Sequence, residues 1–280
     1  MNQQSIKFAF LVPFFGALPS YFDFWTKSCE ANHDRFHWFV YSDQVTASYK
    51  LNDAVTMVPY QFEEMRTDFS RILNINIPEQ NMRKVCDYRL IFYFLRRQKE
   101  PLDSFDYIGY TDVDMVYGAI ADYMPENVEQ YAMISANEGK PCGPFTLIKR
   151  PMLNILLESD ELKKCLENED HLKFDESVKL MDIIKGANNP VFCHFSPLQP
   201  MRSDGFNYKR CLAMWEDGKV SVRDCRGNKL DGAFFHFSRF KGNNKFKIRG
   251  NAIQSPQWVV CRYGIFVVKS KIVHYLLAQL

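Results

Sequence analysis

Several features that would decide the class of this chain at once are missing from it. No apolar run approaches the ~20 residues of a membrane span; the longest, Val259–Val268, is broken by Arg262. Residues Met1 to Lys7 do not lead through a basic segment into an apolar stretch and a small-residue cleavage site, so no secretory signal is expected. The eight cysteines form no Cys-x-x-Cys pair and keep no short regular spacing. That pattern argues against structural zinc and against a disulfide framework, and for free thiols in a reducing compartment. Low-complexity linkers and internal repeats are absent. Net charge is nearly absent too: 35 Lys and Arg against 33 Asp and Glu give +2, which points to no nucleic-acid partner. The expectation is a soluble, cytoplasmic protein.

One absence is local. After Asp231 there is no acidic residue, so the last 45 residues carry +8 and the first 235 carry −6. The late basic residues are interleaved with Phe246, Ile248, Trp258, Phe266 and Ile272. Such a segment suits an anionic membrane surface or a phosphate-bearing ligand; a solvated final helix packed on the domain accounts for it equally well.

What the chain has in quantity is aromatic residues. They make up 15% of it, with 24 Phe and 14 Tyr, enough for a large core with rings left to line a cleft. At about 150 residues per domain, 280 residues fit one large domain or two small ones. Lys7–Val12, Phe36–Tyr41 and Val55–Val58 are short apolar runs of the kind that form buried strands, and a helix is expected after Ser20 between the first two. Strands alternating with helices indicate a mostly parallel sheet flanked by helices. A helix is expected over 84–98, then strands at Tyr107–Tyr110, Met133–Ser135 and Phe145–Ile148, with 139–144 between the last two as a loop flexible enough to fold over a site. Asp217-Gly218 between two alternating runs marks a hairpin. Ala233–Phe237 is a further strand.

Asp112-Val113-Asp114 is the sharpest chemical feature. Two carboxylates where a buried strand turns into a loop can reach one ion, and the carboxyl end of strands in an open α/β sheet is where ligands bind. A hard divalent cation there, Mn²⁺ or Mg²⁺, would bridge nucleotide phosphates. His236, in the apolar run Phe234–Phe237, completes a plausible carboxylate–imidazole metal set. Arg239 and Lys241 follow it as candidate phosphate partners. Phe174-Asp175-Glu176, at a helix start, offers Asp175 or Glu176 as a general base for an acceptor hydroxyl; acids at that position also simply suit the helix dipole.

In order along the chain, KFAFLVPFFG (7–16), FVYSD (39–43), KVCDYR (84–89), GYTDVDMVYG (109–118), GPFTLIKR (143–150), FDE (174–176) and HFSRFK (236–241) resemble the motifs of bacterial GT-A-type glycosyltransferases, close to an uncharacterised family associated with polysaccharide synthesis loci. The resemblance spans Lys7 to about Lys241. It implies an α/β, GT-A-like domain over 1–245 and a basic, aromatic extension over 246–280. It also implies transfer of a sugar from a nucleoside diphosphate donor, UDP favoured, to a glycan or lipid-linked glycan, in the cytoplasm or peripherally at the inner face of a membrane. By that resemblance Asp114 is a metal ligand, Asp112 touches metal or ribose, and His236 is the third ligand. Pro13, Phe14, Phe15, Gly16 and Asp43 belong to the nucleotide pocket, and Lys84 and Asp87 are donor contacts. Asp175 or Glu176 is the base if the reaction inverts. HFSRFK is less basic than the corresponding ending of the family. Two rivals stand beside this reading: a haloacid-dehalogenase-type phosphatase with Asp112 as nucleophile, and a non-catalytic carbohydrate-binding domain of the same fold.

Overall fold

Five of the six residues in Phe8–Pro13 are fully buried and all are apolar, so this segment forms a strand, β1, covered on both faces. The computed structural model describes residues 5–77, 84–186, 189–193, 206–252 and 255–268. The chain divides into two compact units. Unit 1 comprises Met1–Leu18, Arg35–Asp112 and Pro125–Cys193; unit 2 comprises Pro19–Asp34, Val113–Met124 and His194–Leu280.

Unit 1 is built on an eight-stranded sheet. Its strands are β1, β2 (Phe36–Ser42), β3 (Tyr49–Lys50), β4 (Val55–Pro59), β5 (Tyr107–Thr111), β7 (Met133–Ser135), β8 (Phe145–Lys149) and β9 (Val191–Cys193), in the order β3-β4-β2-β1-β5-β8-β7-β9. The expectation of a mostly parallel sheet needs correcting. β2, β1, β5 and β4 associate in parallel, as does β9 with β7, but β3–β4, β5–β8 and β7–β8 are antiparallel. The sheet is mixed. The reason lies in the connections: a parallel crossover needs a dozen or more residues, usually including a helix, and the segment between β7 and β8 has neither.

Aromatic residues account for much of this core. The rings of Phe8 and Phe36 stack with centroids 4.6 Å apart, and Phe10 lies against Trp38 and Phe145. The opposite side of the sheet carries Leu11, Tyr41, Tyr110 and Ile148, packed with Phe69, Phe92 and Leu156 from helices. Each such buried side chain contributes roughly 1.5–3 kcal/mol. The helices are α2 (Phe62–Leu73), α3 (Val85–Tyr88), α4 (Phe92–Arg96), α5 (Leu153–Glu158), α6 (Asp160–Glu167) and α7 (Val178–Lys185). The single helix expected over 84–98 is interrupted by a 3₁₀ turn at Arg89–Ile91, the tighter winding that often marks a functional or strained position.

Unit 2 holds α1 (Phe22–Glu30), the strand pair β6 (Met115–Tyr117) and β13 (Phe234–His236), the short helix α8 (Ser238–Lys241), and a six-stranded sheet. The sheet order is β12-β11-β10-β15-β16-β14, from β10 (Cys211–Glu216), β11 (Lys219–Asp224), β12 (Lys229–Gly232), β14 (Lys247–Arg249), β15 (Gln257–Cys261) and β16 (Gly264–Val267). Asp217 and Gly218 both have positive φ, 47° and 80°, the backbone of a two-residue hairpin turn that Asp-Gly favours. Trp215 and Trp258 stack at 3.9 Å, Phe24 of α1 meets Trp258 edge-on, and the Trp215 indole donates to the Tyr117 carbonyl at 2.8 Å. A boundary at 245 falls inside unit 2, whose sheet continues to Val267. The part of the basic extension at 269–280, with Lys269 and Lys271, lies outside the described residues. Among the described residues no helix is long and apolar enough to cross a membrane.

Candidate functional site

In unit 1 the chain leaves β1 at Pro13 and turns sharply. Phe14 donates its N–H to the Tyr41 carbonyl at 2.8 Å, and Gly16, at φ 89°, donates to Asp43 Oδ1 at 2.8 Å. That φ lies in the left-handed region, where glycine costs least. Phe15 packs edge-on against Phe62. The expected nucleotide-loop residues Pro13, Phe14, Phe15 and Gly16 are therefore gathered with Asp43 at the carboxyl ends of β1 and β2, two parallel neighbours, which is the edge where α/β sheets bind ligands.

The next feature along that edge is centred on Arg89, which the sequence reading did not single out. Its side chain is 6% exposed. Nη1 donates to Asp112 Oδ1 at 2.8 Å and Nε to Asp175 Oδ2 at 3.0 Å; Nη2 also bonds Asp175. The guanidinium lies over the Tyr110 ring, 4.5 Å from its centroid, while the Tyr110 hydroxyl donates to the Asp175 carbonyl at 2.6 Å. Burial works against the charge on Arg89, but Asp175 and Asp112 outweigh it and hold the guanidinium firmly protonated. Burial raises the Asp175 carboxyl above its ordinary range despite Arg89 beside it. A signal for Arg89 was present: it and Asp87 are charges inside the apolar run VCDYRLIFYFL, where both helix faces are needed for the core.

Lys84 and Asp87 correct the expectation of donor contacts. They are 1% and 0% exposed and lie 3.3 Å apart. Lys84 Nζ donates to the carbonyls of Cys165 at 2.7 Å and Asp170 at 2.8 Å, and Asp87 accepts the N–H groups of Leu172 at 2.9 Å and Phe174 at 2.7 Å. A buried charge is stable only when paired and hydrogen-bonded, and here both are spent on fastening the segment that carries Asp175. Their place is behind the site, as anchors. Glu176, half-buried, sits so close to Gly143 that a Cβ at 143 would collide with its carboxylate. The loop expected to be flexible is tied down at its end: Cys142 N–H donates to Ser135 Oγ at 2.7 Å and Thr111 Oγ1 donates to the Pro144 carbonyl at 2.6 Å.

In unit 2, β6 follows directly after Asp114 and pairs antiparallel with β13, with Met115 opposite His236. That register places His236 Nε2 3.3 Å from Asp114 Oδ1, and the Phe237 N–H donates to the Asp114 carbonyl at 3.0 Å. Lys241, from α8, brings Nζ to 2.7 Å from Asp114 Oδ2. Burial tends to raise the Asp114 carboxyl, but His236 and Lys241 more than reverse this and hold it well below the usual carboxylate range. Arg239 turns elsewhere, bonding and stacking on Tyr208.

The pair suits a divalent cation. Two ligands side by side on an octahedral ion at roughly 2.1 Å lie roughly 3.0 Å apart, close to the observed separation, and carboxylate with imidazole is a donor set Mn²⁺ accepts. Lys241 is 44% exposed, unlike the buried cations of unit 1. Asp87, His171 and Asp175 in unit 1 also offer atoms within 4.8 Å of one another. There, however, the compensating cations Lys84 and Arg89 are buried and cannot leave, so added positive charge is opposed.

No curated protein matches the sequence. Among solved structures, the crystal structure of a glycosyltransferase involved in the glycosylation of the major capsid of PBCV-1 is similar over 69% of this chain and 84% of that one, at 10% identity and a TM-score of 0.37, a likeness too slight to carry a role. A model for a family of unknown function, DUF6625, matches residues 10–260. The match covers most of the chain, which belongs to that family.

Proposed function

We propose that the protein is a metal-dependent glycosyltransferase that moves a sugar from a nucleoside diphosphate sugar, UDP favoured, to a glycan or lipid-linked glycan. The observation that carries this reading is the Asp114–His236 pair, 3.3 Å apart, immediately after a buried central strand and two residues beyond Asp112. In this reading Asp114 and His236 hold Mn²⁺ or Mg²⁺, and Asp112 contributes to metal or ribose. A cation so bound offsets negative charge on the departing diphosphate as a Lewis acid. Lys241, released from Asp114, neutralises a phosphate oxygen. The loop Pro13–Gly16, braced by Asp43, receives the nucleotide. Of the two acids expected as base, Asp175 is 1% exposed and committed to Arg89; in this reading the half-buried Glu176 takes the proton from an acceptor hydroxyl.

A thermal-shift panel of UDP-, GDP- and CMP-sugars with and without Mn²⁺ tests the proposal. One donor class is expected to stabilise the protein only with the metal, by about 2.7 kcal/mol at a hundredfold excess over Kd. Asp114→Ala is expected to abolish that shift. Donor binding by calorimetry that survives Asp114→Ala unchanged removes the metal site, and no response to any sugar nucleotide removes the function.

A further inference from the structure

A cavity of about 370 Å³ opens in unit 2, within the range of roughly 300–1,000 Å³ typical of small-molecule sites. Its floor is one face of the second sheet. The strand register sets Met214 beside Ser221 and Ser221 beside Asp231, across β10, β11 and β12, with Glu216 opposite Lys219 in the next row. Its wall is the 3₁₀ turn Ile120–Tyr123, which contributes Asp122 and Tyr123. The wall is braced from behind: buried Asn32 accepts the Ile120 N–H at 2.9 Å and donates to the Gly118 carbonyl at 2.9 Å. Gly118 lies so close to Gly232 and Val220 that a Cβ would press on their backbone. The site is thus pre-formed.

Its lining carries both signs of charge, so neither a simple anion nor a simple cation meets a uniformly complementary surface. A phosphate would face the carboxylates of Asp122, Glu216 and Asp231; a cation would face the ammonium groups of Lys219 and Lys229. Two of these opposite charges lie close together, Lys229 Nζ 3.5 Å from Asp231 Oδ1. Donors and acceptors together with an aromatic ring and a thioether suit a ligand that both donates and accepts hydrogen bonds and has an apolar C–H face. That is a neutral polyhydroxyl ring. β6 carries the chain roughly 10 Å beyond Asp114 before the wall begins, so the cavity does not share the metal ligands.

We propose that this cavity is a saccharide-binding subsite that grips a neutral sugar of an extended glycan away from the point of transfer. The chemistry of the cavity stands alone; its service to an acceptor rests on the transferase reading above. Saturation-transfer NMR on the full chain in EDTA, with neutral di- and trisaccharides of glucose, galactose, mannose and N-acetylglucosamine, is the test. At least one is expected to bind saturably. Tyr123→Ala should raise its Kd at least tenfold and Asp231→Asn severalfold, whereas Asp114→Ala should leave it unchanged. If Tyr123→Ala does not fold, Lys219→Met with Asp231→Asn takes its place. No saturable binding by any of these sugars, or binding indifferent to the cavity variants, overturns the proposal. Because metal and nucleotide are absent from this experiment, its failure is distinct from failure of the donor test.

Discussion

Arg89 ties two carboxylates of unit 1 together. It neutralises Asp175, whose side chain is 2% exposed, and Asp112, which is 32% exposed. Removing one partner of a buried pair costs about 3–5 kcal/mol because a charge is left uncompensated. Arg89→Ala is therefore expected to lower stability by about that much in urea denaturation. Arg89→Lys should recover little, since one ammonium cannot replace a planar fork serving two carboxylates, whereas adding Asp175→Asn to Arg89→Ala should recover part of the loss. His37 supports a prediction of another kind. Burial, reinforced by Lys50, lowers its imidazole from 6.5 to about 4, so the unfolded chain binds a proton in that interval and the native one does not. Stability should fall by about 2–3 kcal/mol as pH drops from 6.5 to 4. His37→Gln should flatten that part of the pH profile, read from urea midpoints; an unchanged slope would assign it to other groups.

Among elements, β5 leaves no room for a side chain at its centre. It is flanked by β1 in parallel and β8 antiparallel, and a Cβ at Gly109 would run into the Thr146 carbonyl and the Leu147 side chain. Gly109→Ala is expected to destabilise by about 1–3 kcal/mol, and, because Asp112 hangs from the end of this strand, to weaken donor binding in the thermal-shift panel as well. Strands of this kind were readable in advance. β1, β2, β4, β5, β7, β8, β10, β11 and β13 all fall on runs picked out by apolar patterning or turn residues, because burial and turns are local properties of sequence. Strand direction was not readable: nothing in Phe145–Lys149 says that it runs against β5, since that depends on a partner 38 positions earlier. β6, three residues long, is too short to show a period, yet its pairing with β13 brings His236 to Asp114. Asp114 and His236 stood out as polar interruptions of apolar runs. Arg89 did not, because an arginine in a helix is ordinarily a solvated one, and Lys84 and Asp87 misled because a charge at a helix start reads as a ligand contact whether or not it is exposed.

At the scale of the whole molecule, neither unit is a continuous stretch of chain. Unit 1 is gathered from three segments and so is unit 2. The near-zero total charge hides a division of acid and base along the chain, and the basic stretch from Lys247 to Arg262 is spent on strands and their connections within the second sheet. The eight cysteines include none in a disulfide; five are buried, and burial raises the thiol of Cys29 well above its ordinary value and that of Cys211 to about 12. These thiols behave as small apolar side chains. The three-segment construction of unit 2 has a consequence for biosynthesis. A chain emerging from the ribosome presents Phe22–Glu30 and Met115–Tyr117 long before β10, β15 and β16 exist to cover them. At ordinary elongation rates of roughly 5–20 residues per second, the interval between the synthesis of Trp25 and that of its unit's last strands is on the order of 10–50 s. The nascent protein must keep that aromatic surface from aggregating until β16 has been made.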